Sequence, residues 1–193
     1  MSLMPLARRV SILLPAYNHA GHVEQFLDNV LDEPYPNKQL LVINDGSTDT
    51  THDVIAAWLD RHRRDIAVEY VSRENRGISA TMNEMASLAD GDHLRVGASD
   101  DYLLPGGNAA LAGYLSANPT KRAVFGDAIV VDEENTVIAN SSLLELYRAG
   151  KANYLTDAGL RREVICRWAF GWGRRRFFAP VALVVRLCGR IFL

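Results

Sequence analysis

"RVSILLPAYNHAGHVEQFLDNVLDE", residues 9–33, changes its rhythm once, and that change decides the fold. The opening "RVSILLPA" is apolar on both alternations, as a parallel strand covered on both faces must be. From Val23 onward the apolar positions recur at helical spacing instead, through Phe26, Leu27, Val30 and Leu31. "PYPN" then ends the helix, because proline cannot donate the next backbone hydrogen bond.

The same alternation continues over the first 130 residues. "QLLVIND" reads as a second strand. "STDTTHD" offers several N-caps for a helix striped by Val54, Ile55, Trp58, Leu59 and His62. "IAVEYVS" is a third strand, followed by "ENRG" and a helix carrying Ile78, Met82, Met85 and Ala89. "DHLRVGAS" is a fourth strand, and a helix follows "LPGG" and ends near "SANP". "RAVFGDAIVVD" and "NTVIANS" read as two more strands joined by "EEN". Strand and helix alternating in this way predict a doubly wound, mostly parallel α/β sheet with helices on both faces. The expected division is a ligand-binding α/β segment over 1–125 and an appended region over 126–193.

Composition narrows the function. A chain of 193 residues, 48% apolar and 23% charged, suits a soluble globular domain. Two cysteines, Cys166 and Cys188, make no disulfide framework and suggest buried thiols in a reducing, cytoplasmic setting. Arg8 and Arg9 before "VSILLPA" resemble a signal peptide only superficially. The apolar run is short, contains Pro15, and reaches no small-residue cleavage site. From Arg161 onward eight arginines face Glu163 alone, a net +7 that leaves −9 for the first 160 residues. So acidic a body argues against a nucleic-acid partner.

In doubly wound sheets ligands bind beyond the carboxyl ends of the strands. There the sequence places "PAYN", "NDGS", "RENRG" and "SDD", so its polar residues collect at one edge. Neither G-x-G-x-x-G after the first strand nor G-x-x-x-x-G-K-[ST] is present, which disfavours a dinucleotide or P-loop ATP. A nucleotide diphosphate here needs another neutraliser, and the adjacent carboxylates Asp100 and Asp101 suit Mg²⁺ or Mn²⁺. In extended backbone the two would point to opposite sides and do different jobs, one holding metal and the other reaching a ribose hydroxyl. The competing reading is a cap for the helix after "LPGG". Asp45 can accept a hydrogen bond from a base N–H, with Gly46 allowing close approach. Its competitor is an Asp-Gly turn with Ser47 and Asp49 as caps. His19 and His22 read as a helix start rather than a zinc site.

Together "VSILLPAYN", "LLVINDGSTDTT", "NRGISATMNEMASLADGD" and "SDDYLLPGG" resemble the family 2 glycosyltransferases of the GT-A fold over about residues 9–140. The resemblance implies inverting transfer of a sugar from a nucleotide-diphosphate donor to a saccharide or lipid-linked acceptor hydroxyl, in cell-surface polysaccharide or glycoconjugate synthesis. It implies that Pro15, Ala16, Tyr17 and Asn18 line the base and that Asp45 reads it. Asn75, Arg76 and Gly77 match the donor-site loop, and Asn83 a residue on the following helix. Asp100 matches the ribose- or donor-contacting position and Asp101 the metal ligand. Asn44 stands where many members carry a first aspartate.

The family's catalytic base is a carboxylate well beyond the metal motif. Asp157 is the weak candidate, although "TDAG" also reads as a helix N-cap. Three explanations stand: a truncated or altered acceptor half, a final stretch out of register, or another base. The tail from Arg174 permits a basic amphipathic helix on the inner face of a membrane, a helix packed on the acidic body, or a disordered remnant. Pro180 and the arginines interrupt it too often for a membrane span. Trp168, Phe170 and Trp172 suit either a core or an acceptor surface. The rival functions are a nucleotide-binding module without turnover and a sugar-nucleotide pyrophosphorylase.

Overall fold

The computed structural model describes residues 8–124, 126, 129–131, 136–139, 176–179 and 184–186. The alternation read from the sequence is present. Strands β1 (Val10–Ala16), β2 (Lys38–Asp45), β3 (Ala67–Arg73) and β4 (His93–Val96) alternate with helices α1 (Val23–Asp32), α2 (Thr51–His62) and α3 (Ile78–Leu88). These four strands pair in parallel in the order β3-β2-β1-β4. A short strand β5 (Tyr102–Leu103), helix α4 (Gly107–Ala117) and strands β6 (Ala123–Val124), β7 (Ile129–Val131) and β8 (Val137–Ala139) follow.

Side chains alternate across the sheet, and each face builds its own core. Val10, Ile12, Leu14 and Ala16 of β1, with Leu40 and Val42 of β2, pack on Phe26, Leu27, Ile55 and Trp58. Leu13, Leu41, Ile43 and Leu94 face Met85 of α3 on the other side. Each such buried Val, Leu, Ile, Phe or Met side chain contributes roughly 1.5–3 kcal/mol. Phe26 fits because Gly97, just past β4, has no side chain: a Cβ there would lie 2.2 Å from Phe26 Cζ. Of the expected α3 stripe, Met85 is buried and Met82 and Ala89 pack against the same core. Ile78 is 42% exposed, whereas Thr81 is buried, facing a guanidinium rather than the apolar core.

Three expectations are corrected. "RAVFGDAIVVD" is not one strand: β6 joins the large sheet, while β7 pairs antiparallel with β8 in a second sheet. The tail from Arg174 is not a helix over its described residues. It supplies β9 (Arg176–Ala179), parallel to β5 and antiparallel to β7, and β10 (Val184–Arg186), antiparallel to both β4 and β6. Strand pairing satisfies the backbone of an edge that β4 would otherwise expose. Lastly, Asp100 lies in a turn, its closing bond running from the Asp101 N–H to the Ala98 carbonyl at 3.0 Å. Side-chain alternation in extended backbone therefore does not apply to this aspartate pair. Among the described residues no helix is long and apolar enough to cross a membrane.

Candidate functional site

Parallel pairing puts the carboxyl ends of β1 to β4 at one edge, where "PAYN", "NDGS", "RENRG" and "SDD" begin. The strand order reverses between β1 and β4, the place where such sheets open a crevice. Pro15 is half-buried, Ala16 buried, and Tyr17 and Asn18 exposed. Asn18 adopts a left-handed φ of 54°, a conformation its short polar side chain tolerates. That turn lets it clasp the next loop. Its N–H donates to Ser47 Oγ at 3.0 Å, and its Oδ1 accepts from the Thr48 N–H at 2.8 Å. The His19 and Ala20 N–H groups reach Thr51 Oγ1 at 2.9 Å and Asp49 Oδ2 at 3.2 Å. On the other side the His19 imidazole hydrogen-bonds Ser99 Oγ, immediately before the aspartate pair. The loops after β1, β2 and β4 thus form one stitched surface, and His19 belongs to the stitching.

Asp45 closes β2 and is 5% exposed. Its Oδ1 accepts from the Arg76 N–H at 2.9 Å and from Arg73 Nη1. Burial pushes the carboxyl up, but the Arg76 N–H, the Arg73 guanidinium and the Thr81 hydroxyl together hold it below its ordinary value. Arg73, opposite Asp45 in the β2–β3 register, was read from sequence only as part of a polar strand end. Its Nε donates to Glu84 at 2.9 Å, its Nη2 to Thr81 Oγ1 at 2.8 Å, and its Nη1 also to the Glu74 carbonyl at 2.9 Å. No local sequence signal marks it, because only the pairing of β2 with β3 sets Arg73 opposite Asp45.

Arg76 is exposed and approaches Glu84 at 3.9 Å. Gly77 begins α3 with φ 81°, and Asn83 lies exposed on that helix. Asn44 points to the opposite face from Asp45 and donates to Ser72 Oγ at 3.1 Å. It helps line an open cleft of about 530 Å³ with Gly46, Ser47, His52, Ser72, Arg73, Glu74 and Asn75. Neither aspartate of the pair borders that cleft.

Asp100 and Asp101 are half-exposed beside the β1 end. The N-cap position of α4 is Gly106, which has no side chain with which to cap it. Among the described residues no group of three or more His, Cys, Asp or Glu side chains could hold a metal ion. Two adjacent carboxylates nevertheless suit a hard divalent cation that completes its shell with phosphate oxygens and water. His22 is the N-cap residue of α1, matching the helix-start reading of the two histidines. Asp157, Cys166, Cys188, Trp168, Phe170 and Trp172 lie outside the described residues.

Comparison with known proteins now adds to the geometry. The chondroitin synthase of Pasteurella multocida strain Pm70 is 31% identical over 131 residues, 68% of this chain and 13% of that protein. The hyaluronan synthase of Pasteurella multocida shows the same identity and coverage. The chain thus spans a small part of these relatives. The mannosyltransferase PcManGT of Pyrobaculum calidifontis, solved with GDP-Man and Mn²⁺, superposes with a TM-score of 0.57 at 30% identity, over 61% of this chain and 35% of that one. Glucosyl-3-phosphoglycerate synthase of Mycobacterium tuberculosis, solved with Mn²⁺ and UDP, superposes with a TM-score of 0.56 over 93% of this chain and 57% of that one. At 19% identity it speaks for the fold alone. The fold is GT-A, residues 11–180 match the description "Glycosyl transferase family 2", and it is to this family that the chain belongs.

Proposed function

We propose that this domain transfers a sugar from a nucleotide-diphosphate donor to a saccharide or lipid-linked acceptor hydroxyl, with inversion, in the synthesis of a cell-surface polysaccharide or glycoconjugate. The observation that carries the reading is the strand order β2-β1-β4. It sets Asp45 on one side of the β1 loop and Asp100 with Asp101 on the other, within loops joined by hydrogen bonds. A nucleotide diphosphate needs that spacing of duties: a base reader at one end and a neutraliser of phosphate charge at the other. The mannosyltransferase solved with GDP-Man and Mn²⁺ supports the donor class.

In this proposal Pro15, Ala16, Tyr17 and Asn18 line the base. Asp45 accepts a hydrogen bond from its edge. Arg76, Gly77 and Asn83 contact the donor from the α3 side, Asp100 the ribose, and Asp101 is the metal ligand for Mg²⁺ or Mn²⁺. Such an ion, when bound, supplies Lewis-acid stabilisation of the departing diphosphate. The chain's own contribution is to bind and orient the donor through fixed groups, so that little reorganisation remains at the reacting centre. The acceptor proton needs a carboxylate base, for which Asp157 stands as the weak candidate. Residues 1–125 would bind the nucleotide sugar, and 126–193 would form part of the acceptor side. The arginine-rich tail would touch the inner face of the membrane from the cytoplasm.

Calorimetric titration with UDP and GDP, with and without Mn²⁺, tests the binding half. Metal-dependent affinity for one of them is expected, and no affinity for either rejects the reading. Release of sugar from a matched donor tests turnover. A nucleotide-binding module without turnover is the second reading, because from Arg161 on Glu163 is the one acidic residue and no Glu-Asp pair follows. Tight binding with no transfer to any acceptor would select it.

A further inference from the structure

Resting on the donor-site reading above, we infer that Arg73 is a positioning residue, a clamp that fixes the Asp45 carboxylate and the β3–α3 loop for the nucleotide. Its side chain is 11% exposed, and each of its three guanidinium nitrogens is engaged. Nη1 takes Asp45 and the Glu74 carbonyl, Nη2 takes Thr81, and Nε takes Glu84. These partners come from the end of β2, the loop after β3, and two turns of α3. One planar fork therefore sets the mutual geometry of three elements, which a flexible lysine ammonium could not do.

The clamp acts on the base-reading group through one oxygen. Oδ1 of Asp45 already accepts from Arg73 and from the Arg76 N–H. An ionised carboxylate offers about four acceptor sites, so the group keeps capacity for a ligand N–H while its plane is fixed. The charged and titratable groups around it are Arg73 on β3, Glu74 and Arg76 in the loop, and Glu84 on α3. Arg73 is the cation that contacts it through its side chain.

The test compares the whole chain with Arg73→Gln, Arg73→Lys and Thr81→Val, the last removing the acceptor of Nη2. UDP and GDP affinities are measured against pH, and the Asp45 carboxyl is titrated by NMR in the protein without nucleotide. In Arg73→Gln the Asp45 midpoint should rise by about one pH unit, and affinity should fall about tenfold with its acid limb displaced equally. Arg73→Lys should keep the midpoint low while recovering only part of the affinity. Thr81→Val should weaken binding and raise the midpoint by less than Arg73→Gln does, because the Thr81 hydroxyl is one of several groups that hold the carboxyl down. A folded Arg73→Gln with unchanged midpoint and affinity overturns the inference. Should that variant not fold, unchanged affinity in both Arg73→Lys and Thr81→Val does the same. If the unaltered chain binds neither nucleotide, the donor-site reading fails and takes the clamp's role with it, while the NMR midpoint still reports the Arg73–Asp45 coupling.

Discussion

Gly46 and Asn75 meet so closely that a Cβ on Gly46 would stand 2.5 Å from the Asn75 backbone nitrogen. Gly46 also carries a φ of 73°, in the left-handed region. Contact and conformation therefore both demand glycine where the loop after β2 touches the loop after β3. Gly46→Ala should lower stability by about 2 kcal/mol, measured by chemical denaturation. Gly77→Ala offers a contrast, since its φ of 81° is strained but nothing lies within 4 Å of its Cβ position. It should lose only the conformational part, about 1 kcal/mol.

Asp101→Asn should abolish the Mn²⁺ dependence of nucleotide binding while leaving the melting temperature unchanged, because the side chain is half-exposed in a turn. Calorimetry with and without Mn²⁺ checks this, and undiminished metal dependence removes Asp101 as the ligand. Asp45→Ala should weaken binding whether or not metal is added.

Acid sensitivity follows from the Asp45 clamp. Its carboxyl lies below its ordinary 3.8. A depressed carboxyl stabilises the fold above its unfolded value, and that contribution disappears as pH falls from there through the folded value. Asp45→Asn should therefore flatten the pH dependence of the melting temperature below about pH 4. An unaltered acid slope would refute the assignment.

Beneath α4 lies a polar cluster of another kind. Arg95 of β4 is fully buried, donates to Asn108 Oδ1, and faces Glu33, whose Oε1 accepts from the Gly106 N–H at 3.2 Å. Burial lowers the Arg95 guanidinium to about 10 against the opposing pull of Glu33. Arg95→Met would leave Glu33 with Lys38 as its one remaining cationic neighbour among the described residues and should cost about 3 kcal/mol. The double variant Arg95→Met, Glu33→Gln should be less destabilised than the single one. Urea titrations of the three proteins decide it.

These cases mark where sequence reading works and where it stops. The β1–α1 rhythm and the carboxylates at strand ends were legible because periodicity and chain order alone determine which edge they occupy. Arg73 was not, since its role depends on register: only pairing of β2 with β3 sets it opposite Asp45. Arg95 looked like the polar residue of an ordinary strand, and nothing local announces that α4 covers it. The tail misled for a similar reason. Phe177, Val184 and Arg186 suit an amphipathic helix by composition, but Val184 pairs with Arg95, far away along the chain. Ile78 lies exposed although the rest of its stripe packs inward, while Thr81 is buried toward a guanidinium that periodicity cannot register.

That late strand has a consequence for how the molecule is born. The four parallel strands are all synthesised by residue 96, yet one side of β4 stays unpaired until Val184–Arg186 emerge and slide in. During that interval the nascent domain exposes backbone donors and acceptors to any extended neighbour, the circumstance in which chains associate wrongly. Beside it, β6 also waits for Val184 and Val185 of that strand before it can join the sheet.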